Sequence, residues 1–317
     1  MSGKRFVSTG LNMVDHVIYA DEGDAYIMGG IPIYGFAGMC TWLKPKDIAF
    51  GARCGRDFFK HYEPWFSNNL VDESDLIYVS DVTPYNNLYY NNNFDVTDCT
   101  FFTGNFKDSN HWRPHAEDVT HWIGDETRGF YTCCAPDDEM WKGVFSLKEK
   151  HDFSIMWEPN YVNTFPEKKE STISLCQRIE MASFNVPEGC RLFGIESEEK
   201  LIEFLKNLGP TMTLLRCGAR GLYVIMNGDV VFVPSACVPD GHQVVDTTGC
   251  GNASTAGACV AFCNGDNALM IGVKANISSS YVLCQKGPWP TYNDELRAEA
   301  QNRAKKIYSD LSATEKN

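Results

Sequence analysis

The chain has 317 residues, 44% of them hydrophobic and 13% aromatic, which is enough apolar surface for a large core and too much for a disordered chain. A formal net charge of −13 makes a surface that repels nucleic acid and anionic membranes, yet a local nest of backbone N–H groups can still hold a nucleotide. No secretion signal and no bilayer-length apolar run is visible, and the 13 cysteines fall mostly in apolar stretches without a CxxC pair, so reduced thiols and a cytoplasmic location are expected.

In chain order, Phe6–Leu11 reads as a first strand that opens a βα architecture. Gly29–Gly30 then punctuates the chain before an apolar run from Ile31 to Trp42. Leu76–Ser80 reads as a strand, and Tyr85–Phe94, crowded with Asn and Tyr, suits an exposed sheet or loop able to form a flap beside a ligand. His111, His115 and His121 cluster near Trp112 and Trp122, but Pro114 interrupts the helix that would align the first two, so a wet surface segment is expected there rather than a metal site.

The second half alternates more cleanly. Phe153–Trp157 and Met181–Phe184 read as strands. Ser197 caps a helix carrying Leu201, Ile202, Phe204, Leu205 and Leu208 on one face, with Gly209 closing it. Thr213–Leu215 is a buried strand, and Asn227–Gly228 joins Leu222–Met226 to Val230–Val233 as a type I′ hairpin, a turn that needs φ > 0 at both central positions. Val244–Val245 leads into a glycine-rich turn and a helix of small residues from about Ala253 to Phe262. Helices at about Ala268–Gln285 and Asp294–Leu311 follow. Cys259 and Cys263 share a helix face, which packing explains without redox chemistry. Strands alternating with helices predict a mostly parallel sheet covered on both faces.

The strongest local signal is VVDTTGCGNASTAG at 244–257. Glycines allow a tight turn that leaves several N–H groups pointing one way, and the positive end of the following helix adds to the same field. That combination makes an anion hole suited to a transferring phosphoryl group. Taken alone, the loop also fits a strand-to-helix turn with no ligand. It is neither a GK[ST] phosphate loop nor a GxGxxG fingerprint.

The same segment resembles the C-terminal D-T-x-G-A-G-D signature of the ribokinase (PfkB) carbohydrate kinase family. Further pieces follow in the family's order. Gly29–Gly30 resembles its Gly-Gly motif, Gly55–Arg56–Asp57 its G-x-D, Glu158–Pro159–Asn160 its D-P-N and Asn185–Val186–Pro187–Glu188 its N-x-x-E. Arg216 to Gly221 resembles its K-x-G-x-x-G. The resemblance implies one ribokinase-like domain over residues 1–317, a doubly wound α/β fold with a small β lid from about 11–35 and 78–105, and pairing of lids into a homodimer. It implies ATP and Mg²⁺ as cosubstrate and ion, with a sugar or nucleoside-like acceptor.

Carried over to this chain, the family pattern assigns Gly249, Cys250, Gly251 and Asn252 to the anion hole and the reacting hydroxyl. It places Asn185, Glu188, Arg216, Gly218, Gly221, Thr247 and Asn276 along the nucleotide, with Glu188 reaching Mg²⁺ through water and Asp246 a candidate ligand for a monovalent cation. Asp15, Gly29, Gly30 and Tyr34 fall on the acceptor side. Each has an ordinary alternative: a capping carboxylate for Asp15, a surface cation for Arg216, a solvated acid for Glu188, core packing for Tyr34.

Two departures stand out. Tyr34 replaces the Asn that usually follows the Gly-Gly motif, and Asn252 replaces the catalytic Asp. A carboxamide can orient a hydroxyl but cannot take its proton, and loss of a general base costs on the order of 10² to 10⁴ in rate. If that loss is all the change does, Asn252→Asp raises phosphotransfer. The alternative expectation is a pseudokinase that binds nucleotide or sugar as a sensor or assembly module.

Overall fold

A computed structural model describes residues 3–19, 23–91, 96–103 and 109–314. In chain order it begins with β1 (Phe6–Thr9), β2 (Asn12–Tyr19), β3 (Gly23–Gly30), α1 (Ile31–Cys40), β4 (Ile48–Gly55) and α2 (Arg56–Asn68). Next come β5 (Leu76–Ser80), β6 (Tyr85–Tyr90), β7 (Val96–Thr103), α3 (Val119–Trp122), β8 (Gly129–Thr132), α4 (Met140–Lys148), β9 (Ser154–Trp157) and α5 (Lys169–Cys176). The chain continues through β10 (Met181–Asn185), α6 (Val186–Phe193), α7 (Glu198–Leu205), β11 (Met212–Arg216), β12 (Gly221–Met226) and β13 (Asp229–Pro234). It closes with α8 (Cys250–Cys263), α9 (Ala268–Val282) and α10 (Asp294–Thr314).

Nine strands form one sheet in the order β13-β12-β11-β10-β9-β8-β1-β4-β5. From β5 to β11 every neighbouring pair is parallel, and the β12–β13 hairpin adds antiparallel strands at one edge. The hairpin turns where predicted, with Asn227 and Gly228 both at positive φ. Successive side chains of a strand point to opposite faces, so one strand feeds two cores. Phe6, Phe50, Met156 and Met181 pack with α1, α8 and α9 on one face, whereas Val7, Ala49, Trp157 and Ala182 pack with α4, α6 and α7 on the other. This is the mostly parallel, doubly covered sheet that the alternation of strands and helices predicts.

Several boundaries move. The first strand stops at Thr9, and after Gly10 the chain leaves the large sheet to begin β2. A second sheet has the order β3-β2-β6-β7, with β2 parallel to β6 through the Val14–Tyr85 register. Residues 31–35, expected in the lid, belong instead to helix α1, and 78–80 belong to the edge strand β5. Residues 20–22, 92–95 and 104–105 of the expected lid lie outside the described residues. Helix α8 begins at Cys250, three residues before the expected Ala253, and so takes Asn252 into its first turn.

The topology also says where a ligand belongs. The chain starts at β1, runs outward to β4 and β5, then returns to place β8 on the other side of β1. A crevice opens outside the C-terminal strand ends at such a switch point, and ligands of open α/β sheets bind there.

Candidate active site

A cavity of about 740 Å³ lies at those strand ends. Leu11 follows β1, Glu158 follows β9, Arg216 ends β11 and Glu188 sits in the first turn of α6 after β10, and all four line it. The small sheet contributes Met13, Asp15, Asn86 and Leu88, the loop into α8 contributes Thr247, Thr248 and Gly249, and the first turn of α8 contributes Gly251 and Asn252. Asp15, Gly30 and Tyr34 from the expected acceptor side thus share one void with Glu188, Arg216, Thr247, Gly249, Gly251 and Asn252, although 237 positions separate Asp15 from Asn252.

Asp15 is 5% exposed. Burial raises its carboxyl to about 6 from 3.8, against the lowering effects of the Asn86 amide and the Gly30 N–H, and the nearby Asp246 raises it further. The Asn86 amide donates to Asp15 Oδ1 at 3.1 Å. Gly29 is required by this packing, since a Cβ there would fall 2.1 Å from the Asp15 carboxyl carbon. Gly29 thus shapes the cradle of Asp15 without lining the void, while Gly30 lines it.

The loop before α8 turns on Gly249, at φ 77° and ψ −5°. A Cβ there would enter the Tyr34 ring, 2.1 Å from its nearest atom. Tyr34 is 2% exposed yet reaches the cavity wall, so it combines core packing with a face toward the void. Asp246 orders the loop by accepting from the Thr248 N–H at 2.9 Å and from its hydroxyl at 2.8 Å. Its second oxygen, Oδ2, is buried without a hydrogen-bond partner among the described residues. Cys250 departs from its expected place: its N–H donates to the Thr247 carbonyl at 3.2 Å instead of facing the void, and its thiol is raised by burial. Of the four expected anion-hole positions, Gly249 at the end of the loop and Gly251 and Asn252 in the first turn of α8 remain on the cavity wall.

Asn185 Oδ1 accepts the Glu188 N–H at 2.8 Å and caps α6, so it positions Glu188 rather than lining the void itself. Burial raises the Glu188 carboxyl, with Arg216 opposing that shift and Glu158 reinforcing it. Burial works against the Arg216 charge, but the Glu158 and Glu188 carboxylates outweigh it and hold the guanidinium above its ordinary value. Arg216 is therefore the largely covered partner of a buried carboxylate, 2.9 Å from Glu158 Oε2, and not a surface cation.

Glu158 is the residue whose importance the motif comparison understated. It is 1% exposed, and five donors converge on it. The Tyr131 hydroxyl, Asn252 Nδ2 (2.5 Å) and the Cys133 thiol (3.4 Å) reach Oε1, while Arg216 Nη2 and Thr255 Oγ1 (2.9 Å) reach Oε2. Tyr131 and Cys133 carry no motif, and Thr255 follows the signature residues 246–252 by one helical turn. In the sequence Glu158 stood out only through the D-P-N resemblance of Glu158–Pro159–Asn160, just beyond the strand read at Phe153–Trp157.

Besides Asn185, three further expected nucleotide residues lie off the cavity wall. Gly218 and Gly221 bracket the short turn between β11 and β12. Asn276 is buried and donates to the Val233 and Pro234 carbonyls at 3.2 and 2.8 Å, which ties α9 to β13. The three histidines are spread over separate contacts: His111 Nε2 meets the Val79 carbonyl, His115 Nδ1 meets Glu117 and His121 Nε2 meets the Ser74 carbonyl.

Sheet order, small second sheet and switch-point cavity together define a ribokinase-like α/β protein. Solved structures share this fold. Adenosine kinase from Sinorhizobium meliloti superposes with a TM-score of 0.74 at 14% identity, covering 95% of this chain and 99% of that one. The nucleoside kinase of Burkholderia thailandensis in complex with inosine gives 0.73 at 13% identity, covering 96% and 99%. The aminoimidazole riboside kinase of Salmonella enterica, complexed with aminoimidazole riboside and an ATP analog, gives 0.69 at 17% identity, covering 94% and 99%. The profile of the pfkB family carbohydrate kinases matches residues 89–293, more than half of the chain, and the chain belongs to that family. No curated protein matches it by sequence. Among the described residues no helix is long and apolar enough to cross a membrane.

Proposed function

We propose that this chain is an ATP-dependent kinase that phosphorylates an alcohol group of a nucleoside, sugar or related small polyol. The observation that carries this reading is the single void joining Asp15 to the N-terminus of α8. An acceptor would lie under the small sheet, with Asp15 taking hydrogen bonds from its hydroxyls, as an ionised carboxylate can from two donors at once. Asn86 and the Gly30 N–H hold that carboxylate in place. Inosine and aminoimidazole riboside, the ligands of two structurally similar kinases, have the dimensions and vicinal hydroxyls that such a site would accept.

The donor phosphates would face Gly249, Gly251 and the start of α8, where the helix end and Arg216 favour negative charge. Glu188 fits the role of holding Mg²⁺ through water, because a partly buried carboxylate raised above its ordinary value gains from a cation placed beside it. Mg²⁺ bound there supplies charge neutralisation for the phosphates. The unpartnered Oδ2 of buried Asp246 suits a monovalent cation behind the loop. Asn252 would orient the acceptor hydroxyl, and catalysis would rest mainly on positioning and on the fixed dipoles of the loop.

A coupled assay of ATP turnover across a panel of nucleosides, sugars and polyols tests the reading, with calorimetry of ATP–Mg²⁺ binding in parallel. Turnover with at least one acceptor is expected. Binding without turnover across the panel would favour the pseudokinase reading, for which the carboxamide of Asn252 is the specific observation. Neither binding nor turnover would refute both.

A further inference from the structure

The carboxamide of Asn252 is not loose in the cavity. Its Nδ2 lies 2.5 Å from Glu158 Oε1 and 3.3 Å from the Tyr131 hydroxyl oxygen. A carboxylate only accepts hydrogen bonds, so this contact requires the amide nitrogen to face Glu158 and leaves the carbonyl oxygen for the other side. Both residues line the cavity. Glu158 is itself pinned by Arg216 and Thr255 on one oxygen and by Tyr131 and Cys133 on the other.

We propose that Glu158 is the positioning residue of the site. It locks Asn252 so that the carbonyl oxygen receives the acceptor hydroxyl, and it keeps the active-site negative charge one residue back from the reacting atom. The inference rests on the kinase reading given above. In that reaction the acceptor oxygen bonds to phosphorus as the bond to the bridging donor oxygen breaks. The hydroxyl proton passes to a transferred phosphoryl oxygen, because a carboxamide cannot take it and Glu158 is already filled by five donors.

The arrangement reverses the expectation drawn from sequence for Asn252→Asp. A carboxyl introduced at position 252 would stand against Glu158 at 2.5 Å, and two carboxyls that close share one proton. The proton would settle between them, so the new group would imitate the amide and would not act as a base. Other titratable groups around the pair are Tyr131, Cys133, Arg216, Glu188 and Cys250, and none supplies a second cation beside Arg216.

The test is a double-mutant cycle of Asn252→Asp, Glu158→Gln and the pair together, in the full chain, using the best acceptor of the panel and reading kcat, KM, pH profile and thermal unfolding. Asn252→Asp is expected to show a kcat that falls at least tenfold, together with stability, as pH rises from about 6 to about 9 and the shared proton is lost. Glu158→Gln is expected to lower kcat tenfold or more with acceptor KM little changed. The double variant, which restores one carboxyl and one carboxamide with their places exchanged, is expected to recover at least tenfold over Glu158→Gln. A tenfold gain in kcat from Asn252→Asp alone, sustained at alkaline pH, would overturn the proposal, as would additive effects in the cycle. If Glu158→Gln does not fold, the pH dependence of Asn252→Asp still decides. Absence of wild-type turnover would refute the kinase reading itself. Turnover with an additive cycle would refute only the positioning role.

Discussion

Replacing Asp15 by Asn separates what this carboxylate does for the fold from what it does for a ligand. Its carboxyl is raised to about 6 from 3.8, chiefly by burial. The folded chain therefore keeps a proton that the unfolded chain has already lost, so stability falls as pH rises from about 4 to about 6 and stays lower above that. A shift of this size corresponds to about 3 kcal/mol, an upper bound on the cost of holding the ionised group at neutral pH. Asp15→Asn removes the titration and keeps an oxygen able to accept from Asn86 and Gly30. The variant should match wild type near pH 4 and exceed it at pH 8 by up to that amount, a rise in Tm of roughly 5 °C at most. Asp75, also raised to about 6 by burial, is common to both proteins and cancels in the comparison. The acceptor KM should rise about tenfold or more, as expected when a charged hydrogen-bond partner is lost. Thermal unfolding at several pH values and steady-state kinetics check the two halves. Stability curves that run parallel from pH 4 to 8 would refute the burial cost, and unchanged KM would refute the ligand role.

Three further outcomes are expected. Gly249→Ala forces a Cβ into the Tyr34 ring at a positive φ, and should lower stability by about 1–3 kcal/mol in urea unfolding and reduce kcat with it. Arg216→Met leaves buried Glu158 without its cation and should destabilise by roughly 3–5 kcal/mol, with ATP affinity falling in calorimetry. Asn185→Ala removes the cap of α6, costing about 1 kcal/mol, and should raise the apparent KM for ATP–Mg²⁺ because Glu188 loses its anchor.

Much of the fold was legible because its signals are local. The Asn227–Gly228 hairpin, the Ser197 cap and the strands at Leu76–Ser80 and Met181–Asn185 stand within a residue or two of their predicted places. Where local signals misled, a tertiary contact had decided. Gly249, Cys250, Gly251 and Asn252 read as loop by propensity, yet α8 starts at Cys250, with Gly249 pressed on Tyr34 and Gly251 beside the Arg216 guanidinium. Asn276 has the sequence position of a ligand residue, but its amide closes the β13 edge. Glu158 drew notice only as part of a motif, because the donors that define it come from positions 131, 133, 216, 252 and 255.

By itself the sequence determined many of the second-half elements, their alternation and the glycine-rich turn into α8, since periodicity and backbone freedom act over a few residues. It determined the two substitutions at positions 34 and 252 as well. Only the tertiary structure decided which groups share the void. The pairing of Glu158 with Asn252 spans 94 positions and exists because β9 ends and α8 begins at the crevice outside the C-terminal strand ends, where parallel strands direct distant carboxylates and helix N-termini into one void.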